Sequence, residues 1–266
     1  LVEHERCGYR FYAERVLGLP AGDAPASSAF SAVGPRSAAD RGVLLHALLE
    51  RLDFRRPVPP SAQAIAAAAA RAGLWPEPGP EECDELIGLI RRFAATELCS
   101  RLGRALDARR EERFAFGLDE SSPRASGVLV VGALDVIARE PGERTLIVDY
   151  KSDRLGGGDP AAVVGEDYAT QRLVYALAAL RAGAATVEIA HCFLERPADP
   201  VIAVYARAET PELETELGQL ADRVLERRFP VSPAPHRGLC AGCPAEGGLC
   251  SWPLEMTRRE GPDRLF

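Results

Sequence analysis

The chain has 266 residues, 47% of them hydrophobic and 27% charged, an ordinary globular composition with length enough for a sizeable core. Its net charge of −7 argues against a basic nucleic-acid coat protein, but not against an enzyme whose carboxylates gather at a metal. No apolar run approaches the roughly 20 residues of a membrane span and no signal segment opens the chain, so a cytoplasmic protein without a membrane partner is expected.

In chain order, residues 3–17 have the pattern of a helix ending near Gly18 and Pro20, and a loop of small residues covers 21–39. Asp40 is placed to cap a helix over 41–52, whose Leu44, Leu45, Leu48 and Leu49 make an apolar stripe. Pro57, Pro59 and Pro60 break the chain, Ser61 caps an alanine-rich helix to about Arg71, and a longer helix is expected from Glu81 to about Arg109. The texture changes at Arg113. Strands are expected at 128–137 and 145–150, joined by the turn Glu140-Pro141-Gly142-Glu143 into an antiparallel hairpin. A helix over 160–182, strands at 186–194 and 201–206, and a helix from Thr210 to about Arg228 follow, with Pro211 at its first position. A tail rich in Pro, Gly and Cys ends the chain. Helices first and then a mixed sheet crossed by a helix indicate an α/β core. The expected division is a helical part over 1–110, a core over 111–228 and a cysteine-rich tail over 229–266.

Two features of composition stand out. Lys151 is the chain's only lysine among many arginines, and the only methionine is Met256 in a chain that starts at Leu1. The second feature suggests a piece of a longer polypeptide. Seven cysteines without a signal peptide favour metal or cluster ligation over a disulfide framework. Cys83, Cys99 and Cys192 fall in apolar periodic stretches and are expected to be small buried hydrophobes.

The hairpin carries the chemistry. In a strand, residues two apart share a face, so Asp149 and Lys151 project together while Val148 and Tyr150 point the other way. Asp135 lies on the partner strand and can converge with them. Two carboxylates and an ammonium on one face suit a hard divalent cation with oxygen ligands, and an ion-paired triad on a strand face would use the same residues.

These residues, with the downstream Tyr168-Ala-Thr-Gln171-Arg-Leu-Val-Tyr175 and the upstream Gly42-Val-Leu-Leu-His46-Ala-Leu-Leu-Glu50, resemble the motifs of the RecB-type nucleases of the PD-(D/E)XK superfamily. The resemblance runs from Cys7 to Cys250 with the motifs in order. It implies a restriction-endonuclease-like core, a mixed central sheet flanked by helices. It also implies that Asp135 and Asp149 hold Mg²⁺ or Mn²⁺, that His46 and the main-chain carbonyl of Tyr150 add ligands, and that Lys151 assists the attacking water. Gln171 and Tyr175, at i and i+4, would face the active site or the DNA. The family often has an acidic residue just before the first strand, where Glu112 and Glu111 compete for the position.

Cys240-Ala-Gly-Cys243 is a Cys-x2-Cys pair, and Cys250 follows after six further residues. Cys7 is the candidate fourth ligand. Spacing alone admits a zinc site, with His4 or His236 as possible substitutes. The resemblance implies instead a [4Fe–4S] cluster on Cys7, Cys240, Cys243 and Cys250, a C-terminal staple of structural role.

The expected function is therefore a metal-dependent deoxyribonuclease acting on single strands or DNA ends. It would serve as the nuclease module of a UvrD/Rep-type or AddB-like helicase–nuclease in repair or recombination. The sequence has no Gly-x4-Gly-Lys-Ser/Thr phosphate loop, so ATP hydrolysis would belong to a helicase domain in the same longer chain or a partner. The competing expectation is a non-catalytic DNA-binding or subunit-docking module with the same fold.

Overall fold

A computed structural model describes residues 1–20, 36–118 and 127–261. Most of the expected 21–39 loop lies outside the described residues. The elements are α1 (Val2–Arg6), α2 (Gly8–Phe11), a π-turn over Tyr12–Val16, α3 (Ala38–Leu49), α4 (Ala62–Arg71), α5 (Pro80–Ala94), α6 (Glu97–Arg104), β1 (Asp107–Leu118), β2 (Val128–Glu140), β3 (Arg144–Lys151), α7 (Pro160–Asp167), α8 (Ala169–Arg181), β4 (Thr186–Phe193), β5 (Val201–Ala206), α9 (Thr210–Leu225), α10 (Arg237–Cys240) and α11 (Leu254–Thr257). The chain divides into two compact units, one of Pro35–Phe116 with Leu129–Thr210, the other of Leu1–Gly34 with Gly117–Val128 and Pro211–Phe266.

Among the described residues the sheet has five strands in the order β1-β2-β3-β4-β5. β2 and β3 form the expected antiparallel hairpin, with Val136 opposite Val148 and Glu140 opposite Arg144. β3 and β4 run parallel, connected through α7 and α8, and β5 returns antiparallel to β4. The architecture is the expected α/β one, a mixed sheet flanked by helices.

Alternation along the central strands sorts the side chains to two faces. Val136, Ala138, Leu146, Val148, Tyr150, Ala190 and Cys192 pack with Leu44, Leu48, Ile65, Leu86, Ile90 and Phe93 of the α3–α6 layer. On the other face, Phe193 packs with Leu155, Val163, Val164 and Tyr168 beside α7 and α8. The three cysteines expected in the core are there: Cys83, Cys99 and Cys192 are buried. Burial pushes the Cys99 thiol up to about 11 and the Cys192 thiol up to about 12. At the end of the sheet, Arg101 bridges strands by pairing with Glu140 of β2 at 2.9 Å and Glu188 of β4 at 2.6 Å.

Several boundaries differ from the sequence reading. Ser37, not Asp40, caps α3, its hydroxyl accepting the Asp40 N–H at 3.1 Å. The single helix expected over 81–109 is two helices and the start of a strand. Thr96 interrupts it, donating to Phe93 O and capping α6 by accepting the Cys99 N–H. Leu106 N–H then bonds Arg139 O, which delivers the charged segment from Asp107 into the sheet as β1. The expected 160–182 helix breaks at Tyr168, where φ is −122° and ψ is 8°. The N-terminal helix is interrupted at Cys7, which is extended, and Tyr9 N–H bonds Pro230 O instead of continuing a helical ladder. The last long helix stops at Leu225 rather than about Arg228.

Candidate active site

The site forms where the β2–β3 hairpin stops pairing residue for residue. The ladder ends at Val136 opposite Val148. Beyond it the Tyr150 N–H is donated to Asp135 Oδ2 at 2.7 Å, so a carboxylate takes the place of a strand carbonyl. That bond anchors Asp135 at the root of the Asp149-Tyr150-Lys151 segment.

His46 arrives from α3, with Nδ1 3.3 Å from Asp135 Oδ1. The helix is pinned for this. Arg41 donates to Ser152 O at 2.9 Å and pairs with Glu85 at 2.7 Å, so α3 is tied to the segment just after Lys151. Gly42 allows the close approach, since a Cβ there would stand 3.0 Å from Ser152 Oγ. His46 lies one turn further on.

Glu111 is the third member. Ligand atoms of His46, Glu111 and Asp135 lie within 4.8 Å of one another, the one such group of three among the described residues. Glu112 is turned elsewhere and pairs with Arg109. A local irregularity explains the choice. Glu111 has φ of +48°, in the left-handed region, and the alternation of β1 changes there. Before it, Ala108 and Arg110 meet the helical layer, Arg110 over the Phe54 ring. After it, Phe114 and Phe116, of the same parity, meet Tyr175 and Arg181 of α8. Gly132 makes room for Phe114, because a Cβ at that position would fall 2.5 Å from the ring.

The trio's electrostatics suit a cation. Burial works against a charged His46, but the Asp135 carboxylate, with Asp149 and Glu111 behind it, outweighs burial and raises its pKa. Burial, then the charge of Asp135, raises Glu111. One imidazole and two carboxylates in this spacing fit a divalent ion that accepts oxygen and nitrogen donors, Mn²⁺ as well as Mg²⁺.

Asp149 lies outside that trio and belongs to a second arrangement. It is 2% exposed, and a carboxylate so buried is tolerated because Lys151 Nζ is 2.7 Å from its Oδ2. Lys151 also donates to Gln171 Oε1 at 2.7 Å, Gln171 Nε2 donates to Tyr175 Oη at 2.8 Å, and Tyr175 donates to Asp149 Oδ1 at 3.4 Å. The four side chains close a ring of polar contacts. Burial, with Asp149 and Asp135 nearby, pushes the Tyr175 phenol up, so it remains a donor. Tyr150 sends its side chain to the opposite face, edge-on to Phe93 at 5.1 Å and to His46 at 6.2 Å.

Opposite Asp149 in the parallel pair stands His191, fully buried, with no hydrogen-bond partner for either ring nitrogen among the described residues. Burial pushes it down to about 4. The sequence reading missed His191, which sits in an apolar strand with no motif around it.

In the other unit, Cys7, Cys240, Cys243 and Cys250 are free thiols that line one cavity with Tyr9 and Trp252. Arg10 ties the N-terminal helix to this region, donating to Leu239 O at 2.5 Å. Neither histidine named as a zinc substitute lines the cavity, and His4 Nε2 instead contacts Arg228 O at 2.9 Å.

The model of the PD-(D/E)XK nuclease superfamily matches residues 1–247. Among solved structures, the chain is similar to a protein from Eubacterium rectale provisionally assigned as an exonuclease, at 13% identity and a TM-score of 0.48, over 92% of this chain and 88% of that one. It is also similar to the protein SSO0001, at 14% identity and a TM-score of 0.37, over 83% of this chain and 89% of that one. No curated protein matches.

Proposed function

The chain belongs to the PD-(D/E)XK nuclease superfamily, and from that premise we propose that it is a Mg²⁺- or Mn²⁺-dependent deoxyribonuclease of RecB type acting on single strands or DNA ends. The observation that carries the reading is the juxtaposition at the hairpin. A set of His46, Glu111 and Asp135 donors adjoins a buried Asp149–Lys151 pair, and Tyr150 N–H links the two through Asp135.

In this reading His46, Glu111 and Asp135 hold the ion, with Asp149 and the Tyr150 carbonyl as the further ligands the resemblance implies. The ion supplies Lewis acidity toward a phosphodiester and the activation of water. The protein's own side chains do the rest. Lys151 carries a proton at Nζ beside the carboxylates, where it can orient a water or neutralise a phosphate oxygen. Gln171 and Tyr175 fix the rotamers of Lys151 and Asp149, so the ammonium is positioned before substrate arrives.

The four cysteines are proposed to hold a [4Fe–4S] cluster. A tetrahedral zinc at about 2.3 Å from each sulfur brings all four thiolates within about 4 Å of one another. Here all four thiols line one cavity. A cluster spreads its thiolates over separate irons, and the resemblance to the iron–sulfur members of the family is what favours it over zinc. The same reading makes the chain the nuclease module of a UvrD/Rep-type or AddB-like helicase–nuclease in DNA repair or recombination.

The test is cleavage of single-stranded and blunt-ended DNA with Mg²⁺ or Mn²⁺, comparing wild type with Lys151→Met and Asp149→Asn. Each variant is expected to lose at least about 100-fold in rate. Cleavage that survives both substitutions would refute the assignment. DNA binding without divalent metal, and no cleavage with it, would favour a non-catalytic module.

A further inference from the structure

The ammonium of Lys151 is held from three sides. Asp149 Oδ2 and Gln171 Oε1 each lie 2.7 Å from Nζ, and the centroid of the Tyr168 ring lies 3.6 Å away. Gln171 accepts one N–H of the ammonium, Asp149 pairs with its charge without a hydrogen bond, and the ring face covers a third side. Asp149 and Gln171 belong to the polar ring described above. Tyr168 has no place in that ring.

The ring of Tyr168 is itself fixed. The residue occupies the break between α7 and α8, three positions before Gln171 and seven before Tyr175. Its ring packs with Leu155, Val163, Val164 and Phe193. Its hydroxyl donates to Asp153 Oδ2 at 2.9 Å, and Asp153 is itself 6% exposed. A buried carboxylate thus holds the far end of the phenol while the near face meets the ammonium.

We propose that Tyr168 is a positioning residue for Lys151, acting through its ring face. A ring face attracts a cation without prescribing a hydrogen-bond direction. It is also the weakest of the three contacts, so it is the one Lys151 gives up when a water or a phosphate oxygen takes a donor. The ion pair with Asp149 and the bond to Gln171 set where Nζ sits, and the ring face leaves a donor free to be taken. The use of that donor rests on the nuclease reading; the placement of the ammonium does not.

The chain's single lysine makes the test direct. Protein carrying ¹³C at the lysine ε-carbon, with any tag free of lysine, gives one ε-methylene signal, which a ring face at this distance moves upfield of the free-lysine position. The expected result is an upfield signal in wild type, kept in Tyr168→Phe and lost in Tyr168→Leu. Cleavage should follow: in Tyr168→Leu kcat falls about tenfold with KM changed less than about twofold, and Tyr168→Phe recovers most of it. Thermal melting of each variant checks folding.

A wild-type signal at the free-lysine position overturns the placement, even if cleavage is intact. So does a shift that survives in Tyr168→Leu. An upfield signal with kcat unmoved in a folded Tyr168→Leu shows a ring that merely fills the core, and overturns the positioning role. An upfield signal in a wild type that cleaves nothing with either ion leaves the ammonium placed but defeats the nuclease reading and, with it, the catalytic purpose of Tyr168.

Discussion

Two adjacent glutamates separate what a strand pattern can tell from what it cannot. Glu111 and Glu112 are the same side chain one residue apart, and an unbroken strand sends them to opposite faces. The left-handed φ of Glu111 resets that alternation and brings its carboxylate to within 4.8 Å of the ligand atoms of His46 and Asp135, while Glu112 pairs with Arg109. Nothing in the residue types announces such a backbone irregularity, which explains why both glutamates were open candidates at the level of sequence. The prediction is asymmetric. Glu111→Gln should weaken Mn²⁺ binding by about tenfold or more, the scale on which groups around a metal tune its affinity. Glu112→Gln removes only an exposed ion pair and should leave it unchanged. Calorimetric titration with Mn²⁺ alone reads both, and equal affinities for the two variants would remove Glu111 from the site.

At the scale of elements, β4 shows what a central parallel strand imposes. It is covered on both faces, and from Val187 to Leu194 every residue except Glu188 is buried. His191 is the polar residue in that run, and its pKa falls from an ordinary 6.5 to about 4. As pH falls, the unfolded chain takes up a proton at this residue before the folded one does. The neutral histidine therefore costs nothing above about pH 6.5, and stability drains away between there and pH 4. A shift of this size amounts to about 3 kcal/mol at most. In urea unfolding, wild type should lose about 2–3 kcal/mol more than His191→Leu on going from pH 7 to pH 4.5. Parallel acid profiles would show that His191 is not the group responsible. The elements also divide by how legible they were. The β2–β3 hairpin, β4, β5 and the helix capped by Ser61 follow their patterns, because turn chemistry and apolar runs are local signals. The start of β1 did not: the helix was expected to run to about Arg109, while only the alternation of Phe114 and Phe116 announced a strand, and Asp107–Arg109 join it because β2 offers an edge. The breaks at Thr96 and Tyr168 were hidden because a helical period continues across each; the first is a local cap, Thr96 accepting the Cys99 N–H, and the second has no side-chain cap. The catalytic candidates were legible because Asp149, Lys151, Gln171 and Tyr175 lie at strand and helix spacings that hold whatever the packing. His191 and Glu111 depended on register and backbone irregularity, and could not be read from spacing.

For the molecule as a whole, the unit that contains the cysteines is assembled from both ends of the chain. Cys7 comes from the first segment, Cys240, Cys243 and Cys250 from the last, and short contacts such as Tyr9 N–H to Pro230 O join the two segments directly. Apart from α9, the helices of this unit are short: α1, α2, α10 and α11 have four or five residues each, too few to be stable alone. A cluster that ligates both segments would hold these short helices together, much as metals do in small domains. Two consequences can be measured on one anaerobic preparation. Analysis should give about four iron per chain with visible absorption and no zinc, and one zinc per chain would defeat the cluster assignment. Cys7→Ser should then raise amide exchange by at least about tenfold in 1–20 and 228–261. The strands β3 and β4, whose ladder and apolar faces lie in the other unit, should keep their protection. Faster exchange across β3 and β4 as well would show that the cysteines stabilise the whole chain, and unchanged exchange at both termini would show that they staple nothing.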